Sequence, residues 1–152
     1  MLESALIDTG RLYSRRFHER FSQLHLTHCR ALLTLAQHEG ITQCALARLI
    51  ALDAVALGRM LDHLEAGGWS KRLPHPHDRR ASVLVITDEA RPLLPVIRNV
   101  VSELQRDALV GFSAQEQQML TGALEHMLAN LLIGPWAAPV AHVWRPIRRR
   151  NL

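Results

Sequence analysis

The sequence predicts a mainly helical α+β fold in a single globular domain. Apolar residues recur at helical spacing in six segments, and two short β-type runs, the second of them rich in β-branched residues, flank a loop that holds two prolines. The chain has 152 residues, of which 48% are hydrophobic and 21% are charged, as in an ordinary globular protein. This composition excludes the disordered and collagen-like classes.

The first two predicted helices lie within the first 40 residues. Between residues 4 and 23, apolar side chains at mostly helical spacing alternate with arginines, which predicts an amphipathic helix. Thr27 is the predicted N-cap of a second helix, residues 30–37, and Gly40 follows it in a short turn.

The next two predicted helices are short and close together. Thr42 is the predicted N-cap of the third, Gln43 to Ile50, and Asp53 is that of the fourth, Ala54 to Ala66. Gly67 is predicted to end the fourth helix in the left-handed conformation that glycine tolerates.

The periodicity then changes from helical to extended. Residues 69–73 and 82–87 are predicted strands, and the second is rich in the β-branched residues Val83, Val85 and Ile86. The polar loop between them, residues 74–80, contains two prolines. We therefore expect a hairpin whose loop projects into solvent.

Two longer helices complete the predicted domain. Thr87 is the predicted N-cap of the fifth, residues 88 to about 110, and Pro92 and Pro95 are expected to bend or fray its first turns. Ser113 to Glu116 has the sequence of a capping box, which predicts the start of a sixth helix.

The terminal helices, residues 4–24 and 88–132, have apolar faces that are broad for a small monomer. They predict the interface of a homodimer, and burial within one chain is the alternative. Residues 1–132 are then one domain, and residues 133–152 form a tail rich in Pro, Trp and Arg. Four hypotheses are open for this tail: it binds DNA phosphates, it binds the partner subunit, it contacts a membrane surface, or it is a disordered basic end.

Positive charge is concentrated in that tail. The chain has 18 Lys and Arg against 14 Asp and Glu, a formal net charge of +4. The surplus equals the four arginines Arg145, Arg148, Arg149 and Arg150, so the first 144 residues are neutral. Overall basicity therefore does not indicate a nucleic-acid-binding protein, and such a function depends on where the charges lie in the fold.

No membrane span is expected. The 18 residues from Met127 to Trp144 carry no charge, but Gly134, Pro135 and Pro139 would interrupt a spanning helix. Acidic residues near the N-terminus do not suit a signal peptide, and two cysteines without a CxxC motif suit a reducing cytoplasm. A cytoplasmic protein is the expectation.

Three short helices followed by a hairpin is the element order of a winged helix-turn-helix, here residues 27–87. With its motifs, the chain resembles the MarR (multiple-antibiotic-resistance regulator) family over residues 4 to about 132. The segments that carry the resemblance are Leu26-Thr27, Ile41-Thr42-Gln43 with Leu46-Ala47, the run Leu61 to Gly68, Asp78-Arg79-Arg80, and Ile86-Thr87.

The resemblance implies a homodimeric, cytoplasmic, prokaryotic regulator of transcription that binds double-stranded DNA at a pseudo-palindromic operator. It also implies a repressor that often releases the operator when it binds a small molecule or is oxidised. The fourth helix, Ala54–Ala66, would be the recognition helix that enters the major groove. The hairpin of residues 69–87 would be the wing.

Several residues become candidates for DNA contact. Arg79 and Arg80 at the tip of the wing suit a narrow minor groove, and Asp78 would orient one of their guanidinium groups. Arg59 suits guanine or phosphate. The other candidates, each with a purely structural alternative, are Thr42 and Gln43 for phosphate and His63 one turn after Arg59.

The start of the recognition helix departs from the family, which usually places Ser or Thr there. Ala54, Val55, Ala56 and Gly58 offer no side-chain hydrogen bond, although apolar groups can contact thymine methyls and Gly58 permits a close approach. Affinity is then expected to depend on the wing, Arg59 and DNA shape. The competing hypothesis is a dimeric interaction module on the same scaffold that has weakened or lost operator binding.

The local charge supports DNA binding only modestly. Five basic residues, Arg59, Lys71, Arg72, Arg79 and Arg80, stand against three acidic ones, Asp62, Glu65 and Asp78, on the recognition helix and wing. The local excess is therefore +2, which is smaller than the net charge of the whole chain.

The expected effector is a small aromatic acid or phenol. In the family, effectors tend to bind between the first, second and fifth helices, where Tyr13, Arg16 and Phe17 are the candidates here. Oxidation sensing by Cys29 or Cys44 is disfavoured, since small buried cysteines are usually unreactive. No metal, cofactor or enzymatic activity is expected, because no complete ligand set, nucleophile elbow or phosphate loop occurs.

Overall fold

The computed structural model describes residues 1–133, which belong to two compact units, Met1–Val110 and a part that begins at Gly111. The mainly helical α+β class is confirmed. Its helices are α1 (Leu2–Arg20), α2 (Leu26–Gln37), α3 (Gln43–Ile50), α4 (Ala54–Ala66), α5 (Leu93–Ala108) and α6 (Ala114–Ile133), and its strands are β1 (Ile41–Thr42), β2 (Ser70–Pro74) and β3 (Ser82–Ile86). The predicted tail, apart from Ile133, lies outside the described residues.

Helix α2 begins earlier than the sequence predicts. Its N-cap is His25, which makes no side-chain capping bond, and the predicted cap Thr27 lies inside the first turn. Leu26 packs against the core at this point. Burial of an apolar side chain at the helix start outweighs the modest gain from a threonine cap, which explains the error.

The three strands form one antiparallel sheet in the order β1-β3-β2. β2 and β3 pair from Ser70 opposite Ile86 to Pro74 opposite Ser82, so the predicted hairpin is confirmed. Strand β1 was not predicted. It pairs with β3 over only two residues, and such a short strand leaves no alternation in the sequence.

The caps predicted for the two short helices are present. The Thr42 hydroxyl accepts a hydrogen bond from the N–H of Ala45 at 3.2 Å, which caps α3. The Asp53 carboxylate accepts hydrogen bonds from the N–H groups of Val55 and Ala56 at 2.9 and 2.8 Å, which caps α4. Two local side-chain interactions therefore fix where these helices begin.

The end of α4 differs by one residue from the prediction. Gly67 has a right-handed backbone (φ −79°), and the left-handed position belongs to Gly68 (φ 75°). Gly67 is required for a different reason, because a Cβ there would overlap the ring of Trp69.

Helix α5 begins after the first proline instead of being bent by it. Pro92 is the residue before the helix, with φ −63°, and Pro95 lies in the first turn, where a missing N–H costs no intrahelical bond. Thr87 caps a separate short turn, since its hydroxyl accepts a hydrogen bond from the N–H of Ala90 at 3.3 Å. The helix therefore starts at Leu93, five residues later than predicted.

One core holds the first unit together. It joins Phe17 of α1 to inward faces of α2, α3, α4, α5 and β3. Its largest fully buried side chains are Phe17, Leu32, Leu35, Leu46, Leu57, Leu61, Leu64, Leu84 and Ile97. Because Leu57, Leu61 and Leu64 point inward from α4, the opposite face of this helix is directed to solvent.

The second unit, as far as it is described, consists of α6. The predicted capping box is present: the Ser113 hydroxyl accepts from the N–H of Glu116 at 3.3 Å, and the Glu116 carboxylate accepts from the N–H of Ser113 at 2.8 Å. The N–H and the hydroxyl of Ser113 both donate to the Glu116 carboxylate, and these two hydrogen bonds hold the pKa of Glu116 below its ordinary value. Across residues 1–133 no helix has both the length and the apolar character needed to cross a bilayer.

Candidate nucleic-acid interface

The outward face of α4 combines an apolar first turn with a basic second turn. Val55 is 65% exposed, and Arg59 is exposed one helical turn later. Ala54 is also exposed, whereas Ala56 is half-buried. Within residues 1–133, Arg59 makes no ion pair, so its guanidinium is free to bind an anion or a base edge.

Gly58 is where α3 approaches α4. A Cβ at Gly58 would lie 3.5 Å from the side-chain nitrogen of Gln43, which is ordinary contact distance. Gln43 therefore lies beside the recognition helix, at the N-terminus of α3, next to the capping residue Thr42. The two predicted phosphate-binding candidates are thus close to the exposed face of α4.

Arg72 joins the wing to the recognition helix. Its guanidinium contacts the carboxylate of Glu65 and lies 3.0 Å from that of Asp62, while its backbone N–H donates to Glu65 at 2.9 Å. The sequence count included this arginine in the basic surface, but its guanidinium is ion-paired with Asp62 and Glu65 of α4. The pairing also offsets one of the two negative charges that Asp62 and Glu65 place on the helix.

The loop of the wing is held by its own backbone and by Asp78. The N–H of His75 donates to the carbonyl of Ala81, and the N–H of Ala81 donates to the carbonyl of Asp78, each at 3.1 Å. The carboxylate of Asp78 accepts from the backbone N–H of Arg80 at 2.9 Å. Asp78 therefore orients the backbone of the tip, not a guanidinium group as the sequence suggested, because a two-residue separation favours this local turn.

Arg79 and Arg80 are both exposed at the tip of the wing. Neither makes an ion pair with any residue in the described part of the chain. With Arg59, they are cations on two elements that Arg72 ties together. Arginine side chains in this state suit phosphates and narrow minor grooves.

His63, one turn after Arg59 on α4, belongs to a row of aromatic rings. His18 stacks on His25 with ring centres 5.5 Å apart, His25 lies 5.7 Å from His28, and His28 lies 5.1 Å from His63. Trp69 continues the row, 6.3 Å from His63. The sequence gives no sign of this row, because α1, α2 and α4 each contribute to it.

The row places one histidine in a low-polarity site. His28 is half-buried, and its Nδ1 is buried without a hydrogen-bond partner among the described residues. Burial lowers the pKa of His28, and the neighbouring His63 and His25 lower it further. Within residues 1–133, no group of three His, Cys, Asp or Glu side chains is placed to hold a metal ion.

We expect the free energy of unfolding to fall as the pH drops through about 6.5, the ordinary pKa of histidine. Because the pKa of His28 is lower in the folded state, the unfolded chain takes up the proton first, and the loss is complete only below the folded-state pKa. Urea unfolding at about pH 7.5 and about pH 5.5 would measure this. His28→Gln should reduce the pH dependence and His75→Gln should leave it unchanged; equal curves for wild type and His28→Gln would contradict the assignment.

A cavity of about 490 Å³ lies between α1 and α5. Its walls are formed by Thr9, Leu12, Tyr13, Arg16, Glu19, Arg20, Leu104, Asp107 and Ala108. Two of the predicted effector-binding residues, Tyr13 and Arg16, therefore line it. The third, Phe17, is fully buried and belongs to the core, because it lies on the inward side of α1.

The charged groups of this cavity are paired. The Arg16 guanidinium lies 2.9 Å from the Glu19 carboxylate, and Arg20 lies 2.5 Å from Asp107. Burial raises the pKa of the Tyr13 hydroxyl, which therefore stays protonated as a hydrogen-bond donor. The cavity thus offers apolar walls, a phenol group and arginines that already have partners.

The two cysteines differ in accessibility. Cys29 is fully buried, and burial raises the pKa of its thiol to about 12, so it lacks the reactive thiolate that oxidation sensing needs. Cys44 is exposed on α3.

We expect a thiol reagent such as DTNB to modify only Cys44 in the folded protein, with Cys29 reacting after the chain is unfolded. Absorbance of the released thiolate would count the accessible thiols. In Cys44→Ser the rapid reaction should disappear. Rapid reaction of that variant would show that Cys29 is accessible and reactive.

Comparison with known proteins gives a consistent result. The family model described as "MarR family" matches residues 24–82. The transcriptional regulator PA3341 is 32% identical, with a TM-score of 0.73 over 86% of this chain and 98% of that one. A probable transcriptional regulator from Pseudomonas aeruginosa is 26% identical, with a TM-score of 0.77 over 84% and 96%.

A third similar structure is a mutant MarR from E. coli in complex with operator DNA. It is 25% identical, with a TM-score of 0.73 over 86% of this chain and 93% of that one. The three structures share the arrangement of helices and hairpin over most of the described residues. The chain therefore belongs to the MarR family of winged helix-turn-helix transcription regulators.

Proposed function

We propose that the chain acts in the cytoplasm as a homodimeric repressor that binds a pseudo-palindromic operator. The observation that supports this most directly is the set of three exposed arginines, Arg59 on α4 and Arg79 and Arg80 on the wing, none of which is ion-paired within residues 1–133. Because Arg72 links α4 to β2, the helix and the wing approach DNA as one body. Arg72 at the same time offsets one of the two negative charges of Asp62 and Glu65.

The homodimer is supported by apolar side chains that each unit leaves exposed. On α1 these are Leu2, Leu6, Ile7 and Leu12, and on α6 they are Met119, Leu120, Leu124 and Leu128. A monomeric soluble protein rarely leaves so many large apolar side chains on its long helices. A second copy of the chain would cover them and place two recognition helices about one helical turn of DNA apart.

The cavity between α1 and α5 is the proposed effector site. An aromatic ring would pack on Leu12 and Leu104 beside the Tyr13 hydroxyl. A carboxylate would have to compete with Glu19 for Arg16, whereas a phenol would not, so we propose a phenolic effector over an aromatic acid. Titration calorimetry with phenol and with benzoate would compare the two classes, and tighter benzoate binding would contradict this preference.

A second candidate function is a dimeric interaction module that has lost operator binding. The apolar first turn of α4 favours it, because Ala54, Val55 and Ala56 offer no hydrogen-bonding side chain to a base. The unpaired arginines of the wing favour the repressor, since an interaction module has no need to keep them.

A mobility-shift titration with the DNA upstream of the protein's own gene separates the two functions. A repressor should form a discrete complex whose affinity exceeds that for random DNA about 1000-fold or more and falls steeply between two salt concentrations. Equal affinity for the upstream fragment and for random DNA would contradict operator recognition and favour the interaction module.

A further inference from the structure

The first turn of α4 exposes an apolar side chain that the core does not use. Val55 is 65% exposed, while Leu57, Met60 and Leu61 form the buried face of the same helix. A single exposed valine on a protein surface is ordinary. Here, however, it lies on the outward face of a recognition helix, one turn before an unpaired arginine.

Two backbone N–H groups of this turn already have partners. The Asp53 carboxylate accepts hydrogen bonds from the N–H groups of Val55 and Ala56, so these two amides are not free to bind a phosphate or a base. The Thr42 hydroxyl, at the start of α3, accepts from the N–H of Ala45. What the first turn of α4 offers to a ligand is therefore methyl groups.

One group on the major-groove edge of the base pairs complements a methyl surface, namely the C5-methyl of thymine. Arg59, four residues later on the same face, complements the O6 and N7 atoms of guanine. Side chains four apart on a helix are separated by about 6 Å, and base pairs are stacked about 3.4 Å apart. The two contacts therefore lie one to two base pairs apart.

We propose that Val55 is a specificity-determining residue that reads a thymine C5-methyl group, one or two base pairs from a guanine contacted by Arg59. The operator half-site then contains a thymine at that position whose methyl group, more than its hydrogen-bonding groups, is recognised. This inference rests on the proposed operator binding and names what the recognition helix selects.

The experiment uses a duplex obtained by in vitro selection from a random library with the full-length protein. Deoxyuridine then replaces each thymine of the half-site in turn, which removes the methyl group and leaves base pairing intact. At one position the affinity should fall about fourfold per half-site, and about 15-fold when both half-sites are changed. This is the loss expected when each half-site no longer buries one methyl group. Replacing that thymine by 5-methylcytosine paired with guanine should retain part of the affinity lost with unmethylated cytosine.

The variant Val55→Ala tests the assignment to this side chain. It should bind the thymine duplex as weakly as the wild type binds the deoxyuridine duplex, and it should no longer distinguish the two. Val96→Ala, an equal truncation at an exposed position on α5, should keep the wild-type discrimination. Thermal unfolding of both variants verifies that they are folded.

The outcomes separate this inference from the proposed function. A wild-type protein that selects a duplex but is indifferent to every methyl group overturns the role of Val55 and leaves operator binding intact. A Val55→Ala variant that still distinguishes thymine from deoxyuridine assigns the methyl contact elsewhere and also overturns it. A protein that selects no duplex overturns both.

Discussion

Replacing both arginines at the tip of the wing, Arg79→Ala with Arg80→Ala, is expected to lower operator affinity roughly 100- to 1000-fold. Both side chains are exposed and make no ion pair in the described part of the chain. The proposed homodimer carries two wings, so four cations would be lost at once. Arg80→Ala alone should produce a smaller loss of the same kind.

The expected loss of affinity is electrostatic, and it should therefore change the salt dependence of binding. Each arginine that neutralises a phosphate or enters a minor groove releases bound counterions from the DNA. The slope of log affinity against log salt should therefore become shallower by about 3 to 4 in the double variant. A mobility-shift titration at several salt concentrations measures both quantities.

The matched control removes the same charge from another element. Arg98→Ala with Arg106→Ala changes two exposed arginines of α5 that are also without ion pairs within residues 1–133. This variant should bind the operator with nearly wild-type affinity and slope. If both double variants weaken binding equally, the effect comes from net charge and the wing has no special role.

Interactions between residues close in sequence were predictable. The caps Thr42 and Asp53 and the box Ser113 to Glu116 each need only a side chain and an N–H two or three residues away, and all three are present. Helix starts set by tertiary packing were not predictable. α2 begins at Leu26 because that residue packs against the core.

The candidate site shows the same division. Arg59, Arg79 and Arg80 could be placed on the recognition helix and wing from element order alone, and the structure leaves them exposed. That Arg72 is paired with Asp62 and Glu65 could not be foreseen, because β2 must first fold back onto α4. The local charge of the interface is thus distributed differently from the sequence count.

Pairs of histidines from different helices are also invisible in the sequence. His28 and His63 are far apart along the chain, yet their rings meet where α2 approaches the end of α4. The consequence is a lowered pKa for His28 and an explanation for His63 that does not involve DNA. Helical periodicity predicts the side of a helix on which a histidine lies. It does not predict which residue of another helix contacts that histidine.

The substitution Gly67→Ala should lower the free energy of unfolding by about 1 to 3 kcal/mol. The new Cβ would overlap the ring of Trp69, although the backbone at Gly67 (φ −79°) suits any residue. Trp69 is half-buried, packs against the core and adjoins His63, so moving its indole ring gives up apolar contact. Urea unfolding measures the loss.

Gly58→Ala, inside α4, supplies a comparison with the opposite sign. Its Cβ would lie at an ordinary 3.5 Å from the side chain of Gln43, and no strained backbone angle is involved. Alanine favours a helix over glycine by about 1 kcal/mol, so this variant should be stabilised by about 0.5 to 1 kcal/mol. Gly58 lies inside α4 and Gly67 caps its end, so the gain in helix propensity applies to Gly58 and the overlap with the Trp69 ring applies to Gly67. A Gly67→Ala variant that is as stable as the wild type would mean that the Trp69 ring can move without cost.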